Sequence, residues 1–287
     1  MVFKTERCTE AARKERISYD ALPRTFRDAI YITRKLGIRY LWINSICIIQ
    51  DDDADWAVEA AKMGDIYQSC LVMLAASSSS DCEGGLFNEF SVTQDEYPLG
   101  ENIVLVTHFS EECVSGLRIS NVTKPLKAVV TNTKLSSRGW TLQEGVLAPR
   151  ILHFAKEQLF WECATTRAVE DSFDYNASLP PLYWSSEYRK CLRIEDTPFA
   201  VWCWYDLVKD YAGRRLSFPN DKLPALSGLA KLTSNTLNCS YITGMLLAEH
   251  AWGLTWIAPF HKSNRRLPAR SPSFSWASVD GLVYWQT

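Results

Sequence analysis

The chain has 287 residues, of which 47% are hydrophobic and 22% are charged, and these values are typical of a globular protein with a sizeable core. This length is enough for one large domain or two ordinary ones. The formal net charge of −2 argues against broad binding to nucleic acids or to anionic membranes. Residues 1–16 are polar and charged, and no apolar run approaches the roughly 20 residues that a membrane span requires. We therefore expect a cytoplasmic protein with no membrane span and no nucleic-acid partner.

Nine cysteines are scattered along the chain without a CxxC pair or a Cys/His group at zinc spacing. Their number is odd, and Cys47, Cys70 and Cys203 lie within hydrophobic segments. This distribution is typical of reduced, buried thiols. The sequence therefore predicts neither a disulfide framework nor a metal site.

The first half of the chain alternates between helical and strand patterns. Helical spacing of apolar residues predicts a helix over 22–36 that Gly37 ends, and a second helix over 56–69 with Asp55 as its N-cap. Short apolar runs predict buried strands over 38–43 and 71–76. This helix–strand–helix–strand order predicts an α/β fold with a small parallel sheet flanked by helices.

The second half is more mixed. After a serine-rich loop at 77–81, we expect a strand over 102–107 within an otherwise irregular region, 89–134. The later patterns predict a short helix over 140–146, a β-hairpin of 150–154 and 158–163, and helices over 199–211, 222–233 and 245–256. Pro180 and Pro181 mark a connection. We therefore expect an α/β domain over residues 1–175 and a mainly helical, aromatic-rich region over 176–287 that packs on it.

Two polar positions stand out as candidate site residues. Glu144 lies near Trp140 and Arg138, and a carboxylate beside an aromatic ring can have a raised pKa and act as an acid or base. The alternative is a carboxylate at a helix N-terminus that caps the helix or pairs with Arg138. Asn44 lies where the predicted strand 38–43 ends, so it either orients a ligand or satisfies backbone groups.

Other polar residues carry weaker signals. Cys47 has no histidine beside it, which favours a buried structural thiol over a nucleophile. His153 lies in a hairpin strand and is interpreted as a core imidazole. Residues 51–53 are three aspartates without ordered cation-ligand spacing, which favours a solvated turn. The serine run 77–80 lacks the glycines and lysine of a P-loop. The tryptophans of the C-terminal third are interpreted as core residues rather than a ligand pocket.

Several segments, in the same order, resemble the heterokaryon incompatibility (HET) domain of filamentous fungi. They are Leu-Pro-Arg-Thr-Phe-Arg-Asp-Ala-Ile at 22–30, Leu-Trp-Ile-Asn-Ser-Ile-Cys-Ile-Ile-Gln at 41–50, Met-Gly-Asp-Ile-Tyr at 63–67, and Arg-Gly-Trp-Thr-Leu-Gln-Glu at 138–144. The segments Asp-Lys-Leu-Pro-Ala-Leu-Ser-Gly at 221–228 and Ser-Trp-Ala-Ser at 275–278 are similar to sequences that commonly follow the domain.

The chain departs from the family pattern in three places. Asn44 stands where the family usually has Asp, and Gly145 stands where it usually has Arg. The family's usual N-terminal strand, with its Ser-Tyr-x-Trp-Gly block, does not precede the helix at 22–36. We therefore expect a shortened or diverged member whose sheet edge depends on a partner or is rearranged.

The resemblance implies a role in fungal allorecognition and programmed cell death, and a fold remotely similar to Toll/interleukin-receptor domains. Some of those domains hydrolyse NAD with a catalytic carboxylate, which makes Glu144 and Asn44 the candidate catalytic residues and NAD a candidate substrate. Around them, the ligand-binding candidates are Trp42, Ser45, Arg138, Trp140 and Gln143. One hypothesis is a signalling module that binds protein partners or itself, with or without NAD hydrolysis. The alternative is a HET scaffold that serves as an enzyme of small-molecule (secondary) metabolism and binds a small-molecule ligand.

Overall fold

The fold is known from a computed structural model. It describes residues 3–87, 103–107, 117–121, 130, 133–156, 158–170, 188, 191–192, 196–247, 251–259 and 265–285. Seven α-helices lie wholly within these ranges: α1 Arg7–Glu15, α2 Arg24–Lys35, α3 Asn44–Cys47, α4 Asp53–Ser69, α5 Trp140–Leu147, α6 Thr197–Ala212 and α7 Ser227–Thr236. None of the helices in the described part of the chain is both long and apolar enough to cross a membrane.

The strands of the same described ranges are short. They are β1 Met73–Ala75, β2 Ile103–Thr107, β3 Leu117–Asn121, β4 Arg150–Phe154, β5 Leu159–Cys163, β6 Arg167–Val169, β7 Ser240–Ile242, β8 Met245–Leu247, β9 Trp256–Ile257, β10 Arg265–Arg266, β11 Val279–Asp280 and β12 Tyr284–Trp285. The predicted α/β fold class is confirmed. The predicted helices at 22–36, 56–69, 140–146 and 199–211 correspond to α2, α4, α5 and α6.

The main sheet has four strands in the order β1-β4-β5-β6. β1 and β4 are parallel, while the predicted hairpin adds β5 antiparallel to β4, and β6 extends it antiparallel to β5. Successive side chains of a strand point to opposite faces. On one face Leu74 and Phe154 pack with Ala29 of α2, and on the other Met73, Ala75 and Ile151 form a separate cluster. Each face of the sheet therefore carries its own apolar cluster.

A large core joins α5 to the C-terminal helices. Leu142 and Val146 of α5 pack with Trp204 and Tyr211 of α6, and Trp276 lies fully buried among them. Burying side chains of this size gives the largest hydrophobic stabilisation available to a domain. Trp204 and Trp276 are core residues, as interpreted from the sequence, whereas Trp202 remains 39% exposed and stacks on Phe199.

The predicted strand at 38–43 is wrong. These residues pair with no strand in the described structure, and Tyr40 is 80% exposed. A strand of a parallel sheet is buried on both faces, but here only Leu41 reaches the core, beside Leu74 and Phe154. Asn44 is consequently the first residue of the one-turn helix α3 rather than the end of a strand.

Two further elements of the C-terminal region differ from expectation. The described residues of the range 245–256 form β8, a 3-10 turn and the start of β9 rather than the predicted helix. Thr243 and Gly244 both have positive φ and form a two-residue turn that pairs β7 with β8. α7 begins at Ser227, later than the predicted residue 222. Pro224, which cannot occupy a helix interior, ends the preceding 3-10 turn and begins another.

Smaller corrections concern caps, strands and one thiol. Asp52, not Asp55, caps α4 by accepting hydrogen bonds from Ala54 N and Asp55 N, while Asp55 accepts one from Ile49 N. The strand predicted at 102–107 is β2, and β3 in the region predicted to be irregular pairs with it. Cys47 is exposed rather than buried, because only one turn of helix surrounds it. The predicted connection at 180–181 lies outside the described residues.

Candidate functional site

Asn44 and Glu144 lie 100 positions apart in the sequence and are in direct contact in the fold. Asn44 Nδ2 donates a hydrogen bond to Glu144 Oε1 over 3.2 Å. Asn44 is placed by the start of α3, and Glu144 by α5, which the core packing of Leu142 and Val146 fixes. The two catalytic candidates of the sequence analysis therefore occupy one cluster.

Two aromatic side chains complete this cluster. Trp42 Nε1 donates to Asn44 Oδ1 over 2.7 Å, so the amide oxygen is held away from Glu144 and the amide nitrogen is turned toward it. The Tyr67 hydroxyl lies 3.3 Å from Asn44 Oδ1 and also hydrogen bonds with Glu144. Since a phenol has one proton, the hydroxyl serves one of these two acceptors at a time. We call Trp42, Asn44, Tyr67 and Glu144 the Glu144 cluster.

Burial dominates the electrostatics of the cluster. Glu144 is 6% exposed, and its burial raises its pKa, while the charge of Arg138 and the hydrogen bonds from Asn44 and Tyr67 act in the opposite direction. Burial and the nearby Glu144 carboxyl raise the pKa of Tyr67 well above its usual value. A buried carboxyl with a raised pKa is a recurrent feature of acid–base sites, and it also occurs in structural networks.

Asparagine at position 44 decides the charge of this cluster. An aspartate there would place a second carboxyl where Asn44 Nδ2 now lies, 3.2 Å from Glu144 Oε1. Two carboxyl groups at that separation cannot both ionise readily, so they share a proton. The amide instead donates a hydrogen bond and gives the cluster a single ionisable carboxyl.

Three other predicted site residues lie outside the cluster. Trp140 Nε1 donates to Asp221 Oδ2 over 3.1 Å, and its ring lies edge-on to that of Trp56. Gln143 is fully buried, and its Oε1 accepts hydrogen bonds from Gly228 N and Leu229 N at the start of α7. The Ser45 hydroxyl is buried without a hydrogen-bond partner in the described structure.

Arg138 acts on Glu144 through charge alone. Its guanidinium lowers the pKa of Glu144 without a hydrogen bond between the two side chains among the described residues, and the residue is exposed. The expected pairing of Glu144 with Arg138 is therefore a long-range attraction, while Asn44 and Tyr67 make the hydrogen bonds.

Sequence reasoning missed Tyr67 as a site residue. It lies in the Met-Gly-Asp-Ile-Tyr segment at 63–67 and on the inner face of α4, where an aromatic residue looks like ordinary core. The available signal was its hydroxyl, because a buried phenol requires a polar partner.

The weaker candidates have local partners. Asp51 accepts from Arg7 N, and Asp52 pairs with the Arg7 guanidinium at 3.0 Å, so both fasten the N-terminal helix α1. His153 is 5% exposed and in the core, as expected; its Nδ1 lies 3.3 Å from Ser77 Oγ. Cys47 is exposed, but the protein atoms around its thiol partly desolvate it and raise its pKa, which disfavours a thiolate nucleophile.

Comparison with known protein families identifies a match over the first half of the chain. Residues 3–144 match the model of the family described as heterokaryon incompatibility protein (HET). This range contains the entire Glu144 cluster and ends at Glu144 itself. No curated protein and no solved structure matches the chain significantly.

Proposed function

Since residues 3–144 are a heterokaryon incompatibility (HET) domain, we propose that this protein is a cytoplasmic signalling module of fungal allorecognition that promotes programmed cell death. It acts by binding protein partners or further copies of itself. The observation that carries this proposal is a set of exposed apolar side chains at the end of α2 and directly after it.

Contiguous exposed apolar side chains commonly mark contact surfaces, and residues 31–40 carry four large ones. Tyr31 and Leu36 are each 50% exposed, Ile38 is 37% exposed and Tyr40 is 80% exposed. Lys35 Nζ and the Arg39 guanidinium lie over the rings of Tyr31 and Tyr40, each 5.5 Å from the ring centroid. We call these six residues the α2 surface. A partner that presents apolar side chains flanked by carboxylates complements it.

The Glu144 cluster supports a structural role within this module. It links α3, α4 and α5 through side-chain hydrogen bonds, and Glu144 is 6% exposed. Buried polar groups that satisfy one another fix the relative positions of the elements that carry them. The cluster thereby fixes the segment that follows the α2 surface.

Expression in hyphae of a filamentous fungus tests the proposal. We expect the wild-type chain to cause cell death and a Leu36→Ser, Tyr40→Ser double variant to lose most of that effect. Phe218→Ser is the matched control, because Phe218 is 69% exposed and lies far along the chain from α2. Equal killing by all three proteins, at equal abundance, would contradict a role for the α2 surface.

NAD hydrolysis is a second candidate activity, favoured by the contact that brings Asn44 and Glu144 into one cluster. A carboxylate there would stabilise positive charge on a ribose during loss of nicotinamide. Purified protein incubated with NAD should then release nicotinamide, and Glu144→Gln should abolish the release. Asn44→Asp restores the residue usual in the family. If neither wild type nor Asn44→Asp releases nicotinamide, the cluster is structural.

A further inference from the structure

A cavity of about 700 Å³ lies between the main sheet and the helices α5 and α6. Its floor is the sheet face formed by Met73, Ile151 and Glu162, which the strand register aligns in one row. Leu142 and Val146 of α5 form a second side. Glu144 is not part of the lining, so the cavity and the Glu144 cluster are separate. Ligand sites typically have volumes of about 300–1,000 Å³.

Gly145 keeps this cavity open. It lies in the middle of α5, where glycine costs about 1 kcal/mol relative to alanine. A Cβ added there would meet only Ile151 Cδ1, at 3.9 Å, so a side chain at this position would extend into the cavity. The glycine is therefore required neither by a positive φ nor by close packing. Its effect on the structure is to leave space.

The lining is apolar where α5 faces the sheet, and it is polar and charged around Ser77 and along α6. Met73, Leu142, Val146 and Ile151 supply the apolar walls. At the polar end Ser77 joins the lining, and its hydroxyl is positioned by His153 Nδ1 at 3.3 Å. A few placed polar groups in an otherwise apolar cavity orient a ligand.

The charges of the lining disfavour an anion. Glu162, Asp206 and Asp210 contribute three carboxylates, whereas Lys209 and Arg214 contribute two cations. Three of these groups are already engaged, because Arg214 Nη2 pairs with Asp210 Oδ2 at 2.7 Å and Glu162 Oε1 pairs with Arg167 Nη2 at 3.7 Å. A phosphate or sulfonate entering this cavity would lose its hydration without gaining a free cation at the sheet face.

We propose that this cavity binds an uncharged, largely apolar small molecule with one hydrogen-bonding group, and that Gly145 provides the space for it. The site is independent of the α2 surface and of the Glu144 cluster. It does not fit NAD, whose two phosphates are anionic. An experiment that rules out NAD hydrolysis therefore leaves the binding of an uncharged molecule here untouched, and the reverse also holds.

Two fluorescent probes with one skeleton test the charge preference. N-phenyl-1-naphthylamine is uncharged and carries a single N–H donor, and 8-anilinonaphthalene-1-sulfonate adds a sulfonate to the same rings. Titration of the full chain should give saturable, one-to-one binding of the amine and binding of the sulfonate that is weaker by at least about tenfold. Equal affinity for both probes, or no saturable binding of the amine, would overturn the proposal.

Substitution at Gly145 tests the location. Gly145→Leu fills the cavity from α5 and should weaken binding of the amine by at least about tenfold, whereas Gly145→Ala, which adds one methyl group, should retain most of it. Both changes favour the helix, so neither is expected to unfold it. Phe218→Ser, at an exposed residue outside the lining, should bind as wild type does and controls for probe adsorbed on the surface.

If circular dichroism shows that the Gly145→Leu variant does not fold, a second variant tests the location of the site. Leu282 lines the cavity from another side and is 41% exposed, so Leu282→Trp can narrow the cavity without disturbing the core. It should also weaken binding of the amine. Unchanged binding in folded Gly145→Leu, or in Leu282→Trp where the first variant is unfolded, would overturn the proposal.

Discussion

Gly64 of α4 and Gly228 of α7 bring the backbones of the two helices into contact, such that a Cβ added to either would lie 2.8 Å from the Cα of the other. A Cβ at Gly228 would also lie 3.0 Å from Gln143 Oε1. Glycine pairs allow this approach because no side chain intervenes. The crossing joins α4, inside the HET domain, to a helix outside the matched range.

Gly64→Ala should destabilise the protein despite alanine's better helix propensity. The gain in propensity is about 1 kcal/mol, but the methyl group meets backbone that cannot rotate away, and such overpacking costs about 1–3 kcal/mol. We expect a net loss of about 1 kcal/mol in the free energy of unfolding, measured by urea denaturation. Gly145→Ala is the matched control, since it is a helical glycine facing open space and should stabilise by about 0.5–1 kcal/mol. Equal changes in the free energy of unfolding of both variants would contradict the close contact between α4 and α7.

Gln143 should be needed for stability through its amide oxygen. Gln143→Met keeps the volume but leaves Gly228 N and Leu229 N without their acceptor, and unpaired buried donors cost about 1–3 kcal/mol each. We expect a loss of about 2–3 kcal/mol in the free energy of unfolding. Leu142→Met, a volume-conserving change at the preceding buried position, should cost about 1 kcal/mol or less. A smaller effect at Gln143 than at Leu142 would show that the amide does not hold α7.

Helix positions were predictable from the sequence where an amphipathic pattern and a stop signal agreed, as in α2, which ends before Gly37. The structure of short apolar runs was not predictable, because hydrophobic periodicity does not distinguish a strand from a segment that pairs with no other strand. Residues 38–43 have the composition of a buried strand, yet only Leu41 reaches the core. The sequence of residues 245–256 is typical of a helix, but the turn at Thr243 and Gly244 places Met245 in a strand that pairs with β7.

The candidate site was predictable only in part. Glu144 and Asn44 were identifiable as polar residues in conspicuous motifs, but their contact across 100 positions is set by tertiary packing. Gln143 was predicted to bind a ligand beside Glu144, but successive residues of a helix face different directions, and Gln143 is turned toward α7. Gly145 was visible as a departure from the family pattern, whereas the cavity beside it depends on the sheet face across from it.

Glu144→Gln should change the pH dependence of stability. An unfolded chain releases the proton of this carboxyl near pH 4.5, while burial raises its pKa in the folded state. Above that pH the folded protein therefore binds more protons than the unfolded chain, and its free energy of unfolding falls as the pH rises toward the folded pKa. Glutamine does not ionise and keeps an acceptor for Asn44, so the variant should gain stability relative to wild type from pH 4.5 upward. Urea denaturation at pH 4, 5.5 and 7 measures this difference, and a constant value would contradict the raised pKa.

Lys222 should make the free energy of unfolding rise with pH in the alkaline range, opposite to the effect of Glu144. It is 3% exposed, and burial, assisted by the charge of Arg270, lowers its pKa from 10.5 to about 8 although Asp280 acts in the other direction. Between these values the unfolded chain keeps a proton that the folded protein has released, so stability rises with pH by at most about 1.4 kcal/mol per unit. Lys222→Met removes this rise in stability. It also removes the 2.6 Å hydrogen bond from Lys222 Nζ to Val279 O, and the loss of this bond lowers stability at every pH. The variant should therefore lose stability relative to wild type between pH 8 and 10, while the difference stays constant between pH 6 and 7. Because the tyrosines titrate alike in both proteins, a difference that is flat from pH 8 to 10 would show that Lys222 keeps its ordinary pKa.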